Sequence, residues 1–155
     1  MPGHGLLDGK TGVIFGALTD SSIAWHIAEA CHREGAQFAL SNAPVARRLG
    51  NMDDLAEQTG SPVIWADATS DDDLADLYAQ VNDEFGGVDF IVHSIGMGVN
   101  VRKNKPYEDL NYNWYHKTLD ISAISLHRAV HHALESGAIR DNGSILSLSY
   151  IGAQR

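Results

Sequence analysis

The sequence predicts an α/β fold built on an open, mostly parallel sheet with helices on both faces. Three observations carry this expectation. Short, continuous apolar runs recur at five places, as expected of parallel strands buried on both sides. Between them lie stretches of helical period with recognisable start and stop residues. The first apolar run also passes through one glycine into such a stretch, Val13 to Ile27 (VIFGALTDSSIAWHI). That strand–turn–helix step is where an α/β fold exposes backbone N–H groups to a phosphate.

Thr11 to Gly16 is the first predicted strand. Ser22 stands at an N-cap position, and Ile23, Ile27, Ala30 and Cys31 follow as one apolar helical stripe that stops at Gly35. Gln37 to Asn42 is the second strand, and the region from Pro44 to Gly60 is predicted to be helical in its second half. Pro62 to Asp67 is the third strand. Ser70 caps the next helix, whose first turn holds Asp71, Asp72 and Asp73, where the helix dipole favours negative charge. Leu74, Leu77, Tyr78, Val81 and Phe85 form its inner face, and Gly86-Gly87 ends it.

Val88 to Ser94 is the fourth strand, followed by Gly96 and a polar loop carrying Arg102, Lys103 and Lys105. A long helix is predicted from Tyr112 to Ser136, with Tyr115, Leu119, Ser122, Leu126, Val130 and Ala133 along one face. Gly137 and an Asp141-Asn142-Gly143 turn lead to the fifth strand, Ser144 to Ser149. Strands alternating with helices make a doubly wound, Rossmann-like sheet of five strands with flanking helices the expected layout.

The 155 residues suit one domain with a sizeable core. A net charge of −9 disfavours non-specific binding to nucleic acid or to an anionic membrane. Cys31 is the only cysteine, so no internal disulfide forms and a reducing compartment is expected. No apolar run has the length of a signal peptide or a membrane span, so the expected location is cytoplasmic.

In a doubly wound sheet the ligand crevice lies beyond the C-terminal ends of the strands. That rule gathers Gly16, Asn42-Ala43, Asp67-Ala68, Ser94-Ile95-Gly96 and Tyr150 on one rim. The turn after Gly16 lacks the second and third glycines of the G-x-G-x-x-G fingerprint, so by itself it is weak evidence. Asp67 either accepts hydrogen bonds from an adenine amino group or merely terminates a strand. Ser94 and Gly96 are small enough to let a ribose or flat ring approach the backbone.

No metal site is expected. His127, His131 and His132 share a predicted helix but have no third ligand nearby, and read as helix-surface residues. Trp25 and Trp65 are expected to cover the sheet. Ser147-Leu148-Ser149-Tyr150 does not match the G-x-S-x-G elbow of a serine hydrolase.

The turn ending SSIAWHIA, the HSIG of the fourth strand, the DIS of Asp120-Ile121-Ser122 and the closing SLSYIGAQR together resemble one family. It is that of the enoyl-acyl-carrier-protein reductases of bacterial fatty-acid synthesis, a divergent branch of the short-chain dehydrogenase/reductases. The resemblance spans essentially the whole chain, and NAPVARR and SIGMGVNVRK look like the subgroup found in the Bacteroidetes lineage. It implies hydride transfer from a nicotinamide cofactor to the β-carbon of a trans-2-enoyl thioester on acyl-carrier protein.

By the same resemblance Gly16, Ser22 and Ile23 hold the pyrophosphate; Ala43, at the end of the second strand, is a further cofactor-binding candidate by position. Asp67 and Ala68 meet the adenine. Ser94, Ile95 and Gly96 line the ribose and nicotinamide, and Gly98 borders the acyl group. Tyr150 matches the first of two active-site tyrosines, a suitable donor to the developing enolate oxygen. The family's second tyrosine and its lysine fall beyond a segment like SYIGAQR. Residues 1–155 are therefore expected to form a single dinucleotide-binding domain, the N-terminal portion of a longer reductase fold.

An Asp or Glu after the second strand usually selects NAD. Here the position reads Asn42-Ala43-Pro44, with Arg47 and Arg48 following, which either attract a 2′-phosphate or belong to a solvated helix face. The family habit makes NADH the expected cofactor, with NADPH as the alternative. Family members assemble as homotetramers, and the Tyr112–Ser136 helix is the expected interface element. Arg102, Lys103 and Lys105 are either a solvated loop or a docking point for the acidic carrier protein. The rival reading is a dinucleotide-binding module that performs no chemistry.

Overall fold

A computed structural model describes residues 3–149. Its five strands are β1 (Thr11–Phe15), β2 (Gln37–Asn42), β3 (Val63–Trp65), β4 (Val88–His93) and β5 (Ile139–Ser147). All pair in parallel, in the order β3-β2-β1-β4-β5. The chain reverses its direction of travel across the sheet between β1 and β4, and this is the switch point at which doubly wound folds open a crevice.

Alternation along β1 sends Val13 and Phe15 to one face and Ile14 to the other. The first face is covered by α3 (Asp71–Phe85) and α6 (Ser125–Glu135), through Leu74, Leu77, Tyr78, Val81, Ala129 and Ala133. The second is covered by α1 (Ile23–Arg33) and α2 (Met52–Thr59), through Ala24, Trp25, Ala28, Met52 and Leu55. A single turn of 3₁₀ helix, Pro44–Arg48, precedes α2, so the region after β2 is helical in two pieces. Ser70 caps α3 as its sequence predicts, its hydroxyl accepting from the Asp73 amide.

Four expectations shift. Ile23 does not lie on the inner stripe of α1: it is 63% exposed, and the buried positions are Ala24, Trp25 and Ala28. Being the first helical residue, Ile23 lies past the strand ends, where no sheet surface remains to cover it. The loop after β4 contains a helical turn, α4 (Val99–Arg102), and a 3₁₀ turn at Tyr107–Asp109. The fifth strand starts at Ile139 rather than Ser144. Val88 pairs with Ile139 and Phe90 with Ser144, so residues 140–143 bulge out of the ladder, with Asn142 left-handed at φ 64°. Arg140 pins this bulge to the sheet by reaching Thr11 Oγ1 at 2.7 Å and Asp89 at 3.0 Å.

The long predicted helix is α5 (Tyr112–Leu119) and α6 joined by a π turn, Asp120–Ile124. The inserted residue rotates the inner stripe, which is Ser125, Ala129 and Ala133. Tyr115 and Leu119 stay 48% and 41% exposed.

Tyr78 gives a direct stability test. Its ring is fully buried, its hydroxyl has no partner among the described residues, and burial drives its pKa upward. Removing an unpaired buried hydroxyl without changing shape is favourable. Tyr78→Phe is expected to stabilise the fold by about 1 kcal/mol, read as a rise in Tm of roughly 2–4 °C. A lower Tm would show that the hydroxyl has a partner.

Candidate functional site

The switch point is closed by backbone at van der Waals limits. Gly16 follows β1 with φ +95°, its amide donating to the Ser41 carbonyl at 2.9 Å. A Cβ at this position would stand 2.1 Å from the Ser94 carbonyl oxygen, and the Ser94 amide in turn donates to Phe15 O at 3.2 Å. Only glycine allows the ends of β1 and β4 to approach this closely.

The turn from Gly16 into α1 is fixed from three directions. The Ser22 hydroxyl accepts from the amides of Leu18 (3.1 Å) and Thr19 (2.9 Å) and donates to the Thr19 carbonyl (2.6 Å). Asn42, at the end of β2, donates from Nδ2 to the Ala17 carbonyl at 2.8 Å, and the Asn51 amide donates to the Leu18 carbonyl at 3.0 Å. Ser22 thus occupies the N-cap position but spends its side chain on the turn and makes no cap bond. The amides of Ile23 and Ala24 find no acceptor among the described residues. Together with the helix dipole, those amides make this end of α1 suited to an anion.

Asp67 and Ala68 follow β3 across the rim. One Asp67 oxygen, Oδ1, accepts from the Thr69 amide (2.9 Å) and hydroxyl (2.8 Å), and the Asp67 amide donates to Asp73. Oδ2 has no partner among the described residues, which leaves it the acceptor expected for an amino group. Ala68 is buried. Ala43 is half-buried beside the turn, its amide held by Asn42 Oδ1 at 2.8 Å. Arg47 and Arg48 are exposed, with no ion pair among the described residues.

On the other side of the switch point Ser94, Ile95 and Gly96 line an open cavity of about 310 Å³ with Leu148 and Ser149. The segment beyond is held by the π-turn helix: the Met97 amide donates to Ser122 Oγ at 2.9 Å and the Val99 amide to Thr118 Oγ1 at 3.0 Å. These contacts fix Gly98 at the entrance to α4. Tyr150 lies outside the described residues.

Beneath this rim His93 is buried, its Nε2 lying 2.8 Å from Ser125 Oγ. The Ser125 hydroxyl donates to Ile121 O at 2.6 Å, so its one hydrogen is spent and His93 Nε2 must carry the proton between them. Burial pushes the His93 pKa down, keeping the ring neutral.

The strand-end rule gathered Gly16, Asn42-Ala43, Asp67-Ala68, Ser94–Gly96 and Tyr150; in the structure all of these but Tyr150, which lies outside the described residues, stand at or just beyond the C-terminal ends of β1 to β4. It did not indicate Asn42 as a brace, the His93–Ser125 pair, or the bond that Arg128, on α6, donates from Nη1 to the Thr69 carbonyl at 3.1 Å. For the last two the partners are 32 and 59 positions apart in sequence. His127, His131 and His132 lie on α6, His127 stacked on His131 with ring centroids 6.1 Å apart. Among the described residues no three His, Cys, Asp or Glu side chains are placed to hold a metal ion. Nor is any described helix long and apolar enough to cross a membrane.

Comparison with known proteins agrees with this fold. A family model described as Enoyl-(Acyl carrier protein) reductase matches residues 16–155. Enoyl-[acyl-carrier-protein] reductase [NADH] 1 of Rhizobium meliloti is 32% identical over 152 residues, which are 97% of this chain and 55% of that protein. The Aquifex aeolicus enzyme of the same description, FabI, is 34% identical over 97% of this chain and 56% of its own length.

Among solved structures, the FabI–NADH complex of Alistipes finegoldii superposes with a TM-score of 0.95 at 52% identity, covering 98% of this chain and 54% of that one. The Bacillus cereus enoyl-acyl carrier protein reductase, solved with NADP+ and an indole naphthyridinone, superposes at 0.86 with 29% identity, over 100% of this chain and 59% of that one. The chain spans a little over half the length of these relatives. A match that runs from the switch-point glycine to Arg155 places the chain in the enoyl-acyl-carrier-protein reductase family.

Proposed function

We propose that residues 1–155 form the dinucleotide-binding domain of an NADH-dependent reductase that reduces the trans-2 double bond of an enoyl thioester carried on acyl-carrier protein. The observation that carries this is the glycine-only approach of β1 to β4 at Gly16, with an anion-ready helix end on one side and the Ser94–Gly96 cavity on the other.

In this reading the Ile23 and Ala24 amides, on a turn ordered by Ser22 and Gly16, bind the pyrophosphate. Ala43 borders the adenosine ribose. Asp67 Oδ2 accepts from the adenine amino group, with Ala68 against the ring. Ser94, Ile95 and Gly96 bound the nicotinamide end, and Gly98 borders the acyl chain. Tyr150 donates to the thioester oxygen as charge develops there. When bound, the reduced nicotinamide supplies the hydride.

The names of the relatives support the reaction and the cofactor: both curated relatives above are reductases described with NADH, and one structural neighbour is an NADH complex. The exposed Arg47 and Arg48, and the neighbour solved with NADP+, make NADPH the competing cofactor. A homotetramer in the cytoplasm, assembled through the α5–α6 face that leaves Tyr112, Tyr115, Leu119 and Ile124 exposed, completes the proposal.

Reduction of a crotonyl thioester, followed by loss of reduced-cofactor absorbance, is the test. Turnover faster with NADH than with NADPH is the expected result. Saturable cofactor binding with no turnover would support the non-catalytic module instead, and a preference for NADPH would reassign the cofactor.

A further inference from the structure

Arg128 lies on α6, is assigned no role above, and yet touches the rim. Its Nη1 donates to the Thr69 carbonyl at 3.1 Å and to Asp120 Oδ1 at 2.8 Å, and its side chain is only 29% exposed. Thr69 is the residue whose amide and hydroxyl hold Asp67 Oδ1. A continuous line of hydrogen bonds therefore runs from Asp120 through Arg128 and Thr69 to the carboxylate that faces the crevice.

The π turn makes this line possible. A regular α-helix advances about 100° per residue, so side chains eight positions apart, such as Asp120 and Arg128, end up roughly 80° out of line. The π turn at Asp120–Ile124 absorbs about one extra residue and brings the two back onto one face. The same turn presents Ser122 to the Met97 amide. One irregular turn thus holds both rim loops, the Asp67–Ser70 loop through Arg128 and the Met97–Gly98 loop through Ser122. Asp71 stands 3.8 Å from Arg128 Nε, is 69% exposed, and adds only a weak, screened attraction.

We propose that Arg128, aligned by Asp120 across the π turn, is a positioning residue for adenine recognition: it fixes the Asp67–Thr69 loop so that the outer Asp67 oxygen meets the adenine amino group. This rests on the dinucleotide reading given above. A rigid acceptor discriminates for a donor more strongly than one that must be ordered on binding, because the ordering cost falls on the ligand contact.

The test compares two ligands that differ only at the recognised group: NADH, and reduced nicotinamide purine dinucleotide, in which a hydrogen replaces the adenine amino group. Dissociation constants are measured by titration on the wild type, Arg128→Leu, Arg128→Lys and Asp120→Asn, with Tm recorded for each.

The wild type is expected to favour NADH by about tenfold, the worth of one hydrogen bond to a charged acceptor. In Arg128→Leu that preference is expected to fall to within about twofold of none, while the purine analogue binds nearly as before. Asp120→Asn is expected to move the same way, and Arg128→Lys, which keeps one charged donor, to recover part of the preference.

An unchanged preference in Arg128→Leu and Asp120→Asn would overturn the positioning role while leaving the dinucleotide site standing. So would an equal loss of affinity for both ligands, the mark of a merely structural residue. A wild type that does not discriminate, or binds neither ligand, defeats the assignment of Asp67 and the positioning role with it. If Arg128→Leu does not fold, Asp120→Asn and Arg128→Lys give the same reading.

Discussion

Gly16→Ala is expected to lower the Tm by roughly 10 °C and to weaken NADH binding by more than about tenfold. Two costs add. The residue holds φ +95°, where a side chain brings about 1–3 kcal/mol of strain. The new methyl carbon would also stand 2.1 Å from the Ser94 carbonyl oxygen, which is backbone and cannot rotate away. Relief requires the end of β1 to move from β4, stretching the Ser94–Phe15 bond, and toward β2, where the Gly16 amide already stands 2.9 Å from the Ser41 carbonyl. A total near 3 kcal/mol converts to the stated Tm shift at about 2–4 °C per kcal/mol for a chain of this size.

Binding suffers separately, because the displacement parts the α1 amides, which follow β1, from the Ser94–Gly96 wall, which follows β4. Gly96→Ala is the control: nothing lies within 4 Å of its would-be Cβ, so Tm is expected to change by less than about 2 °C. Thermal melts and NADH titrations of the two variants check this. A Gly16→Ala protein with wild-type Tm and affinity would mean the two strand ends are not held in contact.

The sheet and its helices were legible because each strand and helix declares itself through its own period and punctuation. Leu74, Leu77, Tyr78 and Val81 mark the inner face of α3 from sequence alone, and all four are fully buried. The rim was legible for a topological reason: once strands and helices alternate, the residues that end the strands must share an edge.

The departures arise where local pattern and tertiary contact disagree. Ile23 fits an apolar stripe by spacing, but a stripe does not say where the sheet ends. The π turn and the β5 bulge cost local hydrogen bonding that only distant partners repay. Those partners are Met97 and, through Arg128, Thr69 for the turn, and Thr11 and Asp89 for the bulge, and nothing in the local sequence names them. Of the candidate site, glycine and serine positions were readable because turns and close approaches demand those residues. The braces behind them were not, because a buried hydrogen bond between remote side chains leaves no periodic trace.

His93→Leu is expected to destabilise the protein by about 2–3 kcal/mol at pH 7.5 and by much less at pH 5.5. At the higher pH the variant loses the bond from Nε2–H to Ser125 Oγ, at about 1–2 kcal/mol, and leaves an imperfect fit in a fully closed site at about 1 kcal/mol more. The acid side follows from proton linkage. The His93 pKa lies below the value of 6.5 it returns to on unfolding, because burial disfavours the charged ring.

The unfolded chain therefore takes up a proton at this ring before the folded chain does. The stability that wild-type protein owes to neutral His93 is complete above pH 6.5 and is lost as the pH falls toward the depressed folded value. A leucine has no such loss. The other titratable groups are common to both proteins, so the gap between them isolates this one group. Urea melts of both proteins at a series of pH values measure the gap, which should narrow steadily below pH 6.5. Two stability curves that stay parallel from pH 7.5 to 5.5 would mean that His93 is protonated in place, with Nδ1 finding an acceptor. Neutrality matters to the rim above it: a charged ring at the end of β4 would draw water toward Ser125 and loosen the turn that holds both rim loops.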